Sequence, residues 1–177
     1  MAEYWDLYDL HGNRTDEKYI RDSGDPFPKD RYHIVVEIYT VHRGYLLLTK
    51  RDERKAFGGL WEYTGGSVVA GEDSRLGAAR ELAEETGIER DPSEFIQLSS
   101  LLRIGTQLWK MDTYVVVIPD DEPRPKVVYQ EGETVDHLWL NRDAADAFID
   151  SPAFVGHVAK RYHNISDTLW KLAEMKR

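Results

Sequence analysis

The chain has 177 residues, 41% of them apolar and 31% charged, with a net charge of −9 and no cysteine. That length suffices for one sizeable core, and the acidity argues against gripping a long nucleic acid by backbone neutralisation. The missing cysteines exclude disulfides, thiolate zinc sites and a cysteine nucleophile together. The N-terminus lacks a basic-then-apolar signal, and no apolar run approaches membrane-spanning length. A single domain over residues 1–177, cytoplasmic and away from membranes, is the expectation, and a cysteine-free chain suits a reducing compartment.

Residues 1–31 carry Trp5-Asp6-Leu7-Tyr8-Asp9 and then Gly12-Asn13, a short strand and turn ahead of the main fold, with a loop at Asp25-Pro26-Phe27-Pro28. This segment is expected to be a strand or cap. Tyr32 to Val41 is β-branched and aromatic, hence a strand, and Tyr45 to Arg51 is a buried strand ending in basic residues. The loop Asp52 to Trp61 holds Lys55. Arg51 and Lys55 can meet an anionic substrate or simply be solvated, the commoner fate of such residues. Trp61 can pack near them or lie in the core.

Gly65 and Gly66 with the Val-Val-Ala-Gly run lead in like a strand and a tight turn. Ala78 to Glu85 follows as helix, within a helical stretch expected near Arg75 to Thr86. At about 100° per residue, Glu81, Glu84 and Glu85 fall within about 100° of arc beside Ala78. Leu76, Ala79, Leu82 and Ala83 form the opposite, apolar face. Gly77 sits at the edge of the acidic stripe, leaving room for an approach, and Gly87 is a natural C-terminal cap. Like charges at i and i+4 cost a helix roughly 0.2–0.5 kcal/mol per pair, and a divalent cation with oxygen ligands removes that repulsion.

Phe95 to Ile104 and Gln107 to Ile118 read as strands, followed by the proline-rich acidic loop Pro119 to Pro125 and a strand at Val135 to Leu140. Asn141 caps a helix over Arg142 to Ile149. Ser151-Pro152 starts a last helix, where Val155, Ala159, Tyr162, Ile165, Leu169 and Leu172 keep an approximate 3–4 spacing. That helix is expected to pack on the sheet or on a partner subunit, so a homodimer stays open. The six histidines show no i, i+4 pair, so a histidine metal site is not visible from spacing.

Gly66, five residues, Glu72, seven residues, and then Arg80-Glu81-Leu82-Ala83-Glu84-Glu85-Thr86-Gly87-Ile88 match the Nudix box at every defined position. The chain therefore resembles a Nudix hydrolase. The resemblance implies an α/β/α sandwich with a mixed β-sheet between the box helix and the C-terminal helix. It implies an enzyme that cleaves a diphosphate linkage in a small nucleoside-diphosphate-type or related substrate, using magnesium or manganese. Carried over by position, Glu84 and Glu85 correspond to metal ligands, and Glu81 to a ligand or the base that activates water. The Gly65 carbonyl corresponds to a further ligand, and Glu72 with Arg80 to a structural salt bridge. Family hydrolases often add an acid from the loop before the last strand. Glu133 has the expected position, with Glu131 as alternative.

Outside the box, over most of residues 4 to 140, Trp5-Asp6, Tyr32-His33, Lys50-Arg51, Lys55 and Gly59-Leu60-Trp61-Glu62 are similar to the branch related to isopentenyl-diphosphate isomerase. In that resemblance Arg51 and Lys55 match positions that hold the diphosphate. The isomerase's cysteine falls where this chain has Gly65, one of its metal histidines falls at Ser67, and only His33 survives. Hydrolysis is the leading expectation. Isomerisation and a catalytically idle binding module are the alternatives.

Overall fold

The computed structural model describes residues 2–105 and 107–176. In chain order these form β1 (Tyr4–Tyr8), β2 (Arg14–Ile20), β3 (Tyr32–His42), β4 (Tyr45–Arg51), β5 (Trp61–Glu62) and β6 (Thr64–Ser67). Helix α1 (Ser74–Thr86) follows, then a 3-10 turn (Pro92–Glu94), β7 (Ile96–Arg103), β8 (Leu108–Ile118), β9 (Thr134–Asn141), α2 (Arg142–Ile149) and α3 (Gly156–Met175).

The strands join one mixed sheet around β3. Strand β8 lies parallel to β3 along its whole length, from Tyr32↔Leu108 to His42↔Ile118. The other edge of β3 is shared in succession by three strands. β1 touches it at Tyr32, β6 runs from Val35↔Ser67 to Ile38↔Thr64, and β4 pairs only at Val41 and His42. β9 pairs with β4 along its length, and β5 joins β4 only near its end, at Thr49 and Lys50. This divergence leaves a gap beside β6, and the functional side chains gather there.

Alternation along β3 divides its side chains between two layers. Ile34, Val36 and Ile38 pack with Ala78, Ala79 and Leu82 of α1. Tyr39 and Val41 pack with Val158, Tyr162 and Leu169 of α3 and with Ala145 and Ile149 of α2. The sheet lies between helices on both faces, which is the α/β/α sandwich with a mixed sheet. α1 begins where the Asp73 carboxylate accepts from the backbone N–H groups of Arg75 and Leu76, and Gly87 ends it with φ at 70°.

Three local expectations need correction. Leu76 is exposed and Ala78 is fully buried, so the helix turns its Ala78, Ala79 and Leu82 flank to the sheet. A Cβ at Gly77 would lie 3.0 Å from a Val68 methyl and 3.4 Å from the Glu72 carboxylate, so the chain itself fills that room. The last helix begins at Gly156 and not at Ser151-Pro152. The Trp61 N–H donates to the Ala153 carbonyl and the Val155 N–H to the Trp61 carbonyl, each at 2.9 Å, which keeps Phe154 in an extended bridge.

The N-terminal segment forms a β1–β2 hairpin on the sheet. The Ala70 N–H donates to the Tyr4 carbonyl at 2.7 Å and the Gly71 N–H to the Asp6 carboxylate at 2.8 Å, which ties the hairpin to the loop leading into α1. Trp61 resolves to the core side, packed edge-on to Phe148 of α2 with ring centroids 5.7 Å apart.

Candidate active site

A polar cleft of about 280 Å³ opens beside β6. Its lining brings together Arg51 from the end of β4, Lys55 from the following loop, Gly65 and Gly66 from β6, Glu81, Glu84 and Glu85 from α1, and Glu133 from the loop before β9. Residues far apart in sequence meet here because the Asp52 N–H donates to the Glu133 carbonyl at 2.9 Å, pinning the two loops together. Glu131, the alternative to Glu133, is exposed and does not line the cleft. Glu72 also stays outside it, behind Arg80.

Arg80 organises the acidic face. Its guanidinium donates to Glu72 at 3.0 Å, to Glu81 at 2.9 Å, to Glu84 at 2.8 Å and to the Ser67 carbonyl at 2.9 Å. The expected Glu72–Arg80 bridge is present, and the same cation serves two of the cleft acids. Burial works against the Arg80 charge, but the hydrogen bond to Glu72 and the charges of Glu81 and Glu72 outweigh it and hold the group cationic. Glu81 lies against β6: a Cβ on Gly66 would come within 2.4 Å of its carboxyl group. Only glycine admits that approach.

Glu85 sits deepest, 4% exposed. Burial, then the charges of Glu62 and Glu81, push its pKa up to about 8, opposed by Lys55 and a hydrogen bond from the Gly65 backbone. Burial likewise raises Glu81 and Glu62. A buried carboxylate among like charges lacks positive charge, and hard divalent ions take oxygen ligands of this kind. The donor chemistry therefore fits magnesium or manganese. As the side chains stand, no three His, Asp or Glu groups among the described residues converge closely enough to chelate an ion. Arg80 holds Glu81 and Glu84, and Lys55 is paired with Glu133.

The two basic residues differ from expectation. Arg51 is not an exposed side chain waiting for an anion: it pairs with Glu62, at 16% and 18% side-chain exposure. Lys55 is 21% exposed and bonded to Glu133, and burial lowers its pKa. Both still line the cleft, opposite the α1 acids.

Glu62 was missed by the sequence reading, as were Glu37 and Arg161 just behind it. Arg161 of α3 donates to Glu37 of β3, and Glu37 pairs in register with Gly65. A signal existed: Glu37 is the one acid in a β-branched and aromatic strand, where charge needs a partner. His33, the one survivor of the isomerase histidines, lies 5% exposed against Trp5, away from the acidic cleft.

Comparison with known proteins agrees with this construction. Residues 30–161 match the NUDIX domain family. The Nudix hydrolase lin0387 of Listeria innocua is 33% identical over 157 residues, covering 86% of this chain and 88% of that protein. The CTP pyrophosphohydrolase of Escherichia coli is 42% identical over 62 residues, 35% of this chain and 46% of that one. Among solved structures, DR0079 of Deinococcus radiodurans superposes with a TM-score of 0.68 at 19% identity, over 92% of this chain and 98% of that chain. The fold, the glutamate-bearing helix facing a glycine pair, and a family match across most of the chain converge: this protein belongs to the Nudix family of diphosphohydrolases.

Proposed function

We propose that this chain, folded as one domain, hydrolyses the diphosphate linkage of a small nucleoside-diphosphate-type substrate with magnesium or manganese bound at Glu81, Glu84, Glu85, Glu133 and the Gly65 carbonyl. The observation that carries the reading is the meeting of the α1 acids with Arg51 and Lys55 in one cleft. The bound ion supplies positive charge against the phosphate oxygens and makes a bound water more acidic. The remaining work falls to the chain. Arg51 and Lys55 hold the diphosphate from the side opposite α1, by charge-assisted hydrogen bonds. Glu81, placed by position as a ligand or as the base, would take the proton from the attacking water in its ionised form. Glu72 and Arg80 keep α1 and β6 in fixed relation. The match to a CTP pyrophosphohydrolase over 62 residues supports a nucleotide-type substrate.

The isomerase alternative has a specific obstacle. A Cβ at Gly65, where the isomerase-like branch has its cysteine, would sit 2.4 Å from the Val36 carbonyl oxygen. Accommodating any side chain there requires the backbone to move. The experiment is chromatographic detection of the cleavage products, nucleoside monophosphate, sugar phosphate or free phosphate, from a panel of nucleotide, nucleotide-sugar and prenyl diphosphates, with magnesium or manganese and with EDTA. Metal-dependent release from at least one nucleotide compound is expected. Isomerisation of a prenyl diphosphate, or silence across the panel, overturns the proposal.

A further inference from the structure

Two guanidinium nitrogens of Arg51 are engaged inside the protein. Nε donates to the Ala56 carbonyl at 2.7 Å, and Nη1 donates to the Glu62 carboxylate. Nη2 has no hydrogen-bond partner among the described residues, and Arg51 still lines the acidic cleft. The backbone is held as well: the Arg51 N–H donates to the Leu60 carbonyl at 2.9 Å, and the Gly59 N–H to the Arg51 carbonyl at 3.1 Å.

Both acceptors are themselves fixed. The Ala56–Phe57 peptide is oriented by Phe57, whose φ of 59° is a left-handed conformation costly for a bulky side chain. Phe57 is 58% exposed, so burial offsets little of that cost. Glu62 is set by β5, where it pairs with Thr49 while its neighbour Trp61 is bonded to Ala153 and Val155. Glu62 does not line the acidic cleft. It lines an adjoining recess of about 130 Å³ with Gly65 and Gly66. It therefore touches the cation that faces the cleft, and not the space a diphosphate would take.

A flexible side chain that becomes immobilised on gripping an anion gives up about two- to tenfold in affinity. An arginine held by two acceptors has already lost that freedom on folding. We propose that Glu62 is a positioning residue which, with the Ala56 carbonyl, presents the free edge of Arg51 to the diphosphate. The proposal rests on the hydrolase reading above, in which Arg51 binds that group. Charge alone predicts the opposite effect, because an acid near the cleft repels an anion and its removal should tighten binding.

The test is calorimetric binding of methylenediphosphonate, a diphosphate analogue that resists hydrolysis, to the full chain in magnesium. Glu62→Met should weaken binding about three- to tenfold. Glu62→Asp, which keeps the charge but withdraws it from Nη1, should weaken it at least about threefold. Glu62→Gln, which keeps an acceptor in place, should bind within about twofold of the parent. In an Arg51→Ala background, Glu62→Met should change affinity less than about twofold, because no guanidinium remains to be positioned. If Glu62→Met does not fold by circular dichroism, the contrast between Glu62→Asp and Glu62→Gln decides the matter. Unchanged or tighter binding in Glu62→Met or Glu62→Asp overturns the proposal, as does an equal loss with and without Arg51. A lower melting temperature with parent-like affinity also overturns it and leaves Glu62 a stabilising residue only. Cleavage of a panel diphosphate without these affinity changes overturns the positioning role alone. The affinity changes without cleavage of any panel compound support the positioning role and overturn the hydrolase reading.

Discussion

Arg161 on α3 grips Glu37 on β3 with two nitrogens, at 2.7 and 3.0 Å, and the two side chains are only 11% and 4% exposed. The pair joins the helix to the central strand at the residue in register with Gly65, so it braces the floor of the cleft. Removing one member leaves the other charge buried and unpaired, at a cost of about 3–5 kcal/mol. Arg161→Met should lose that much stability in urea unfolding. Arg161→Met combined with Glu37→Met should be more stable than the single variant. A single-variant loss below about 1 kcal/mol would show the pair to be solvated.

Arg80 compensates Glu72, Glu81 and Glu84 together, with Glu84 counting least because its side chain is 46% exposed. In Arg80→Gln the remaining acids repel one another. The metal-free melting temperature should fall by about 4–8 °C, equivalent to about 2 kcal/mol for a chain of this size. Magnesium should then raise the melting temperature more in the variant than in the parent, because it replaces a lost positive charge. Equal magnesium shifts in both proteins would remove Arg80 from the electrostatics of the cleft.

Much of this arrangement was legible in the residues because it is local. Glu81, Glu84 and Glu85 share a face by helical geometry alone; β3 and β8 announce themselves by their β-branched and aromatic runs, and β4 by its apolar Leu46-Leu47-Leu48. The pairings that set the charge state of the cleft were not legible. Arg51 meets Glu62 and Lys55 meets Glu133 only because β5 and the loop before β9 return to the end of β4, and no periodicity encodes that return. Strand β2 escaped notice for a different reason. Arg-Thr-Asp-Glu-Lys-Tyr-Ile has no buried face, so it lacks the alternation that marks a strand. The exposure of Leu76 reflects packing: small Ala78 and Ala79 let α1 approach the sheet on that flank.

Glu85→Gln removes the most buried acid of the cleft. Turnover at saturating magnesium should fall about 100-fold or more, corresponding to about 2.7 kcal/mol of barrier. The metal-free fold should be as stable as the parent or more so, because burial already disfavours the carboxylate and a neutral amide removes that cost. Parent-like turnover would take Glu85 out of the metal site.

Lys55 and Arg51 separate a binding role from a structural one. Charge-assisted hydrogen bonds are worth roughly 1.5–3 kcal/mol each, so Lys55→Ala should raise KM about ten- to a hundredfold with little change in melting temperature. Arg51→Ala should raise KM similarly and also destabilise the fold by about 1–3 kcal/mol, because Glu62 loses its partner in a partly buried setting. Steady-state kinetics with calorimetric melting checks both. An unchanged KM in both variants would return these residues to purely internal pairing.

His33 gives the fold a defined acid sensitivity. Burial between Trp5 and Phe27 lowers its pKa from 6.5 to about 4. Between those values the unfolded chain takes up a proton at this residue and the folded chain does not, so stability is lost as pH falls. The loss amounts to at most about 1.4 kcal/mol per pH unit across that window, and it is absent above the unfolded pKa. Urea unfolding at pH 7 and pH 4.5 should show a drop in the parent that is smaller in His33→Phe, which cannot titrate. Other groups contribute equally to both proteins, so the difference between the two pH slopes isolates the histidine. Identical slopes would mean that His33 opens to water and protonates within the fold, so that Trp5 and Phe27 do not shield it.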